Sequence, residues 1–253
     1  ASGRIHIVAN TTPEDERENV LTVNVFITES LLNSDGSLAE STSSGKMTMT
    51  HLNELVDVFG ELSEGALELE LGRLVSIDST LSNIEFEDEF YQLTALTSPD
   101  ASTQSMNLFV IESITMAEES EGGLLGVAGG LPGPSVPGNL SGILGHGVVS
   151  AVALMRTSAW ASAPISVDSF ANTSAHEIGH YLGLFHTSED GGDYHDPLMD
   201  TPECVYPFTV YPDTWSYCPT DAYQNLMWPY AYGYTLPLSL DQQHVISNNP
   251  LAR

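Results

Sequence analysis

The chain has 253 residues and carries 34 acidic against 6 basic side chains, a formal net charge of −28, with Lys46 as its only lysine. A surface so strongly of one sign repels nucleic acid and anionic membranes, which excludes both as partners. A hydrophobic share of 42% is ordinary for a globular core, and no run of 18 apolar residues is present to span a bilayer.

The length suits one large domain or two modest ones. The acidic surplus reads either as a solvated surface that keeps a secreted protein soluble, or as carboxylates that hold calcium and attract basic substrates. The chain starts at Ala1-Ser2 without a signal peptide. A secreted or cell-surface/periplasmic protein would have had one, so a mature or trimmed chain is expected. The two cysteines, Cys204 and Cys218, are expected to form one disulfide. It closes a short loop and contributes about 3 kcal/mol through chain entropy.

Residues 1–20 are polar and form an arm or the remnant of a propeptide, with Ile5 to Val8 as an edge strand. Val20 to Thr28 is β-branched and apolar, a buried strand. Met47, Leu52, Leu55, Val56 and Phe59 recur at helical spacing within 47–62, with Gly60 marking the end. Leu67 to Ile77 alternates as a strand, 82–96 reads as a short helix, and Met106 to Ile114 is a third strand. Residues 116–142 are rich in Gly and Pro and read as loop, with Leu124 to Ala128 as a short edge strand; His146 to Leu154 is a central strand.

Asn172, Thr173 or Ser174 is the expected cap of a helix running to about Leu182. This helix carries His176-Glu177-Ile178-Gly179-His180-Tyr181-Leu182-Gly183-Leu184-Phe185-His186, the pattern H-E-x-x-H-x-x-G-x-x-H. Four residues apart on a helix, His176 and His180 share one face and grip one metal ion. Glu177 lies beside them, placed to act on a water of that metal. Gly183 tolerates the left-handed turn that ends the helix, and the chain doubles back to present His186. Three histidines with a fourth position open are the ligand set of catalytic zinc. Further on, Asp190, Asp193, Asp196, Asp200 and Thr201 line an oxygen-rich loop that either wraps calcium or is a solvated acidic segment. Ser239 to Ile246 reads as a C-terminal helix capped by Ser239 and stopped by Asn248-Asn249-Pro250.

The histidine motif resembles that of the metzincin zinc endopeptidases. Gly183 to Thr187, Asp200-Thr201-Pro202-Glu203-Cys204 and Asn225-Leu226-Met227 are most similar to the pappalysin family. The resemblance implies an α+β fold, α/β/α-like: a twisted, mostly parallel sheet with a backing helix and an active-site helix, then an irregular lower subdomain. The whole chain, 1–253, would be one metalloprotease catalytic domain, with an arm over 1–20, an upper subdomain over 21–183 and a lower one over 184–253. It further implies a turn at Met227 flooring the zinc site and a pocket wall at Trp228 to Tyr234. Tyr230 is the candidate for the oxyanion-directed tyrosine, shifted by one residue because Pro229 holds the usual position. Calcium in the 189–201 loop and a protein or peptide substrate extended along the edge strand at 124–128 are also implied. The expected activity is secreted, zinc-dependent peptide-bond hydrolysis by a monomer. The alternative is a non-enzymatic acidic calcium-binding surface module with a structural zinc.

Overall fold

Every second residue of the first strand, β1 (Val20–Thr28), is apolar on the same side: Leu21, Val23, Val25 and Ile27 all enter one core. The computed structural model describes residues 13, 17–85, 93, 105–115, 125–128, 150–153, 155–158, 161–189, 192–204, 218–230 and 235–252. The expected strand at 5–8 and the aspartate Asp190 lie outside them. β1 is flanked in parallel by β2 (Glu68–Ile77) and β4 (Ser105–Ile111); β4 pairs in parallel with β7 (Ser150–Ala153). The short β6 (Gly126–Ala128) closes the sheet antiparallel to β7, giving the order β2-β1-β4-β7-β6. Parallel neighbours need a crossover, and α1 (Met49–Leu62) supplies it between β1 and β2.

Two cores follow from the pleat. Met106, Leu108 and Val110 of β4 join the β1 set against α1 and against α2 (Val167–Leu182). Phe26, Phe109 and Ile111 face the other way, with the two phenyl rings stacked at 4.8 Å. Each fully buried side chain of this size contributes about 1.5–3 kcal/mol. A one-residue slip of β1 would turn its whole core set outward, so the register is strongly specified. The fold is therefore mixed α+β with a mostly parallel sheet, as expected from the sequence.

Four local expectations are corrected. The histidine-bearing helix starts about two turns before the predicted cap, because Ser166 Oγ accepts from Ser169 N–H at 3.1 Å and closes its first turn. Asn172, Thr173 and Ser174 are interior residues of α2. Gly60 does not end α1; the chain turns after Leu62, with Glu64 and Gly65 both left-handed and Gly65 N–H bonded to Gly60 O. Within 82–96, Asn83–Glu85 is a strand, β3, pairing in parallel with β5 (Ser113–Thr115), while Leu93 is buried and helical. The third strand thus breaks at Glu112, whose N–H turns to Ser82 O.

β8 (Met155–Ser158) and β9 (Ala161–Pro164) form a hairpin ahead of α2. After α2 regular structure is sparse among the described residues. A small hairpin pairs β10 (Ser188–Glu189) with β11 (Tyr194–His195); then come one turn of helix, α3 (Thr220–Tyr223), and a last helix, α4 (Leu240–Ser247). Ser239 caps α4 as expected, in a capping box with Gln242. Cys204 and Cys218 are disulfide-bonded with a Cα–Cα distance of 5.2 Å, and the bridge packs on Ala222 and Trp228. Among the described residues no helix is long and apolar enough to cross a membrane.

Candidate metal centre

The helix α2 packs on α1 and on the β6–β7 edge of the sheet, which places its histidine face beside the edge strand. It ends at Gly183, left-handed at φ 115°, whose N–H is bonded to Gly179 O and His180 O. Leu184 N–H then reaches back to Gly179 O at 2.9 Å, a helix-closing turn that reverses the chain. That reversal brings His186 back to His176 and His180, so that one nitrogen from each of the three lies within 4.8 Å of the others.

Each ring is held by its Nδ1. His176 Nδ1 bonds Leu226 O at 2.6 Å, and His180 Nδ1 bonds Leu184 O at 2.8 Å. His186 Nδ1 bonds the carboxylate of Glu189. A carbonyl or carboxylate oxygen only accepts, so Nδ1 carries the proton in every ring and Nε2 carries a lone pair. These lone pairs face each other: His180 Nε2 and His186 Nε2 are 2.9 Å apart, and His176 Nε2 and His186 Nε2 are 3.2 Å apart. Protonation does not relieve them. Burial first, then the neighbouring rings, push His176 well below its usual value; burial lowers His180, and burial with His180 beside it pushes His186 to about 3. Three neutral rings with convergent lone pairs need a cation between them, and three imidazoles fit zinc.

Glu177 is buried on the same helix, and burial pushes its carboxyl up to about 8. The edge strand lies directly against it. A Cβ built on Gly126 would sit 2.6 Å from Glu177 Oε1, so any larger residue there would displace the carboxylate. Met227 is fully buried and packs against the histidine-bearing helix: a Cβ on Gly179 would meet its Sδ at 2.6 Å. The turn carrying it is closed by Asn225 Oδ1, which accepts from Met227 N–H at 2.9 Å.

Three residues escaped the sequence reading. Gly126 and Gly179 act through the space they leave, and Glu189, read as part of an acidic loop, is the outer partner of His186. Its spacing of three residues after the last histidine was the only signal. Glu189→Gln keeps an acceptor but removes the charge. It is expected to weaken metal binding by roughly tenfold, measured by competition with a chromophoric chelator. Gly179→Ala is expected to cost a net ~1 kcal/mol, because overpacking against Met227 (about 1–3 kcal/mol) exceeds the gain in helix propensity (about 1). A urea midpoint unchanged from the parent would contradict the contact.

The other expected site residues lie apart from the three histidines, with Thr201 and Asp196 bonded to each other and Asp200 at the start of α4. Asp193 is exposed. Both Asp200 oxygens are engaged at the start of α4, Oδ1 by Ser239 Oγ at 2.7 Å and Oδ2 by Asp241 N–H at 2.9 Å. Thr201 Oγ1 donates to Asp196 Oδ1 at 2.5 Å. Among the described residues the three histidines are the one cluster of metal-ligating side chains. Trp228 is buried against the disulfide, Tyr230 is exposed past the turn, and 231–234 lie outside the described residues.

No protein-family model and no curated protein matches the chain in sequence. Solved structures do match it. One of mirolysin in complex with compound 9 shares 17% sequence identity at a TM-score of 0.55, over 90% of this chain and 90% of that one. Metalloproteinase-II from Bacteroides fragilis shares 13% at a TM-score of 0.43, over 90% of this chain and 52% of that one. The chain thus has the fold of the mirolysin structure over nearly its whole length and carries three convergent histidines on it.

Proposed function

We propose that the protein is a zinc metalloendopeptidase of the metzincin clan, closest in its motifs to the pappalysins. The observation that carries this reading is the set of three Nε2 lone pairs converging beside a buried glutamate. His176, His180 and His186 would hold zinc. When bound, the ion supplies Lewis acidity, which lowers the pKa of water and polarises a carbonyl. Glu177 accepts the proton of the attacking water as its oxygen joins the scissile carbonyl carbon. It then delivers that proton to the amide nitrogen as the C–N bond breaks. Gly126 keeps β6 close enough that a peptide extended along this edge would run past the Glu177 carboxylate. Tyr230, one residue past Pro229, is the candidate for a hydroxyl directed at the developing oxyanion. The chain acts as one catalytic domain and a monomer outside the cytoplasm, a setting the disulfide favours.

The test is cleavage of casein at neutral pH by zinc-loaded protein, with fragment ends read by mass spectrometry. A zinc-loaded preparation that cleaves neither casein nor a peptide library would overturn the reading.

Calcium in the 189–201 loop belongs to the same proposal. Asp196 is buried, its Oδ1 is used by Leu198 N–H and Thr201 Oγ1, and its Oδ2 has no hydrogen-bond partner. An unmatched buried carboxylate oxygen costs about 1–3 kcal/mol or more, and calcium would satisfy it. A calcium-selective chelator is expected to lower the Tm by several degrees in the parent and by nothing in Asp196→Asn.

A further inference from the structure

We infer that Gln242, in the C-terminal helix α4, is a positioning residue for the histidine site, acting through Asn225 and the turn at 225–227. The inference rests on the zinc reading above. The turn's backbone holds two of the three ligand-bearing segments. Leu226 O accepts from His176 Nδ1 at 2.6 Å, which fixes that ring's tautomer and orientation. Met227 O accepts from Thr187 N–H at 3.1 Å, the residue beside His186. The segments carrying His176 and His186 are thus tied to two adjacent backbone carbonyls, and a shift of the turn is a shift of the metal site.

What holds the turn is a pair of buried amides. Asn225 Nδ2 donates to Gln242 Oε1 at 2.9 Å, and Gln242 Nε2 donates to Asn225 Oδ1 at 3.1 Å. Each oxygen also serves a backbone: Asn225 Oδ1 takes Met227 N–H at 2.9 Å, and Gln242 Oε1 takes Ser239 N–H at 3.0 Å. Turning either amide over would set NH2 against N–H, so one arrangement satisfies both. Gln242 is fully buried and Asn225 nearly so, and an amide pair out of water is geometrically demanding. Gln242 and Ile246 are the buried residues of α4. An apolar residue at 242 would anchor the helix more simply; glutamine instead ties its first turn to the turn that holds His176 and Thr187. The free end of that first turn is fixed by Asp200, through Ser239 Oγ and Asp241 N–H.

The test compares Gln242→Ala, and Gln242→Asn as a polar variant one methylene too short, with Gln243→Ala as control. Gln243 fastens the same helix from its outer side, to Glu64 Oε2 and Leu238 O, and does not touch the turn. Zinc affinity is read by chelator competition, geometry by the visible spectrum of the cobalt-substituted protein, and stability by melting the metal-free form. Both Gln242 variants are expected to bind zinc about tenfold more weakly with an altered cobalt spectrum, while Gln243→Ala keeps the parent's values even where its Tm falls. Should Gln242→Ala fail to fold, Gln242→Asn carries the comparison. Parent-like zinc affinity and cobalt spectrum in the Gln242 variants would overturn the inference alone. A parent that takes up no zinc would overturn the zinc reading, and this inference with it.

Discussion

Glu177→Gln is expected to lower peptide cleavage by roughly 10²–10⁴-fold, about 3–5.5 kcal/mol of barrier, while zinc stays bound. The three ring protons are committed to Leu226 O, Leu184 O and Glu189, so none of the histidines can exchange a proton with substrate while it ligates. Glu177 is the group left to move one. Glutamine is the right replacement because the space is full: Gly126 already approaches so closely that a single added carbon would strike Oε1. Alanine would open a gap beneath β6 and mix a packing defect with the chemical one. Zinc content at the parent level with collapsed turnover is the expected pair of results. Parent-like turnover would remove Glu177 from the mechanism; loss of zinc together with activity would make it a structural residue.

How far the sequence led depends on the kind of contact. β1, α1 and β2 announce themselves through the apolar pattern of their side chains, α4 through its Ser239 cap and its Asn248-Asn249-Pro250 stop, and the histidine motif because two of its histidines lie on one helix and the third a glycine turn away. The start of α2 was less legible. Its first two turns expose Asp168 and leave Ser169, Asn172 and Thr173 half-buried, so the segment reads as polar loop until Ser166 is seen to cap it. The order β2-β1-β4-β7-β6 is not the order along the chain, and nothing local specifies it. The supports of the site were the least legible. Asn225 and Gln242 meet across 17 residues, and Gly126 and Gly179 matter for atoms they lack, which is informative only once Glu177 and Met227 are in place.

Withdrawing the metal is expected to abolish cleavage and to lower the Tm by roughly 8–16 °C, with both restored by zinc. The size follows from linkage. An ion that binds the folded chain at a free concentration 1,000 times its Kd adds about 4.1 kcal/mol, and each kcal/mol moves a chain of this size by about 2–4 °C. The sign follows from the site. Without the ion, His180 Nε2 and His186 Nε2 point lone pairs at one another across 2.9 Å, and their Nδ1 protons are already given to Leu184 O and Glu189. Neither ring can turn to a new partner without breaking the bond that holds it. The metal-free chain therefore retains a repulsive pocket or releases the reversal after Gly183, and both cost stability. His180→Ala serves as the internal comparison: it removes the central ligand, so its Tm is expected to be insensitive to zinc. A parent whose melting and activity ignore chelation would mean that these rings converge without holding an ion.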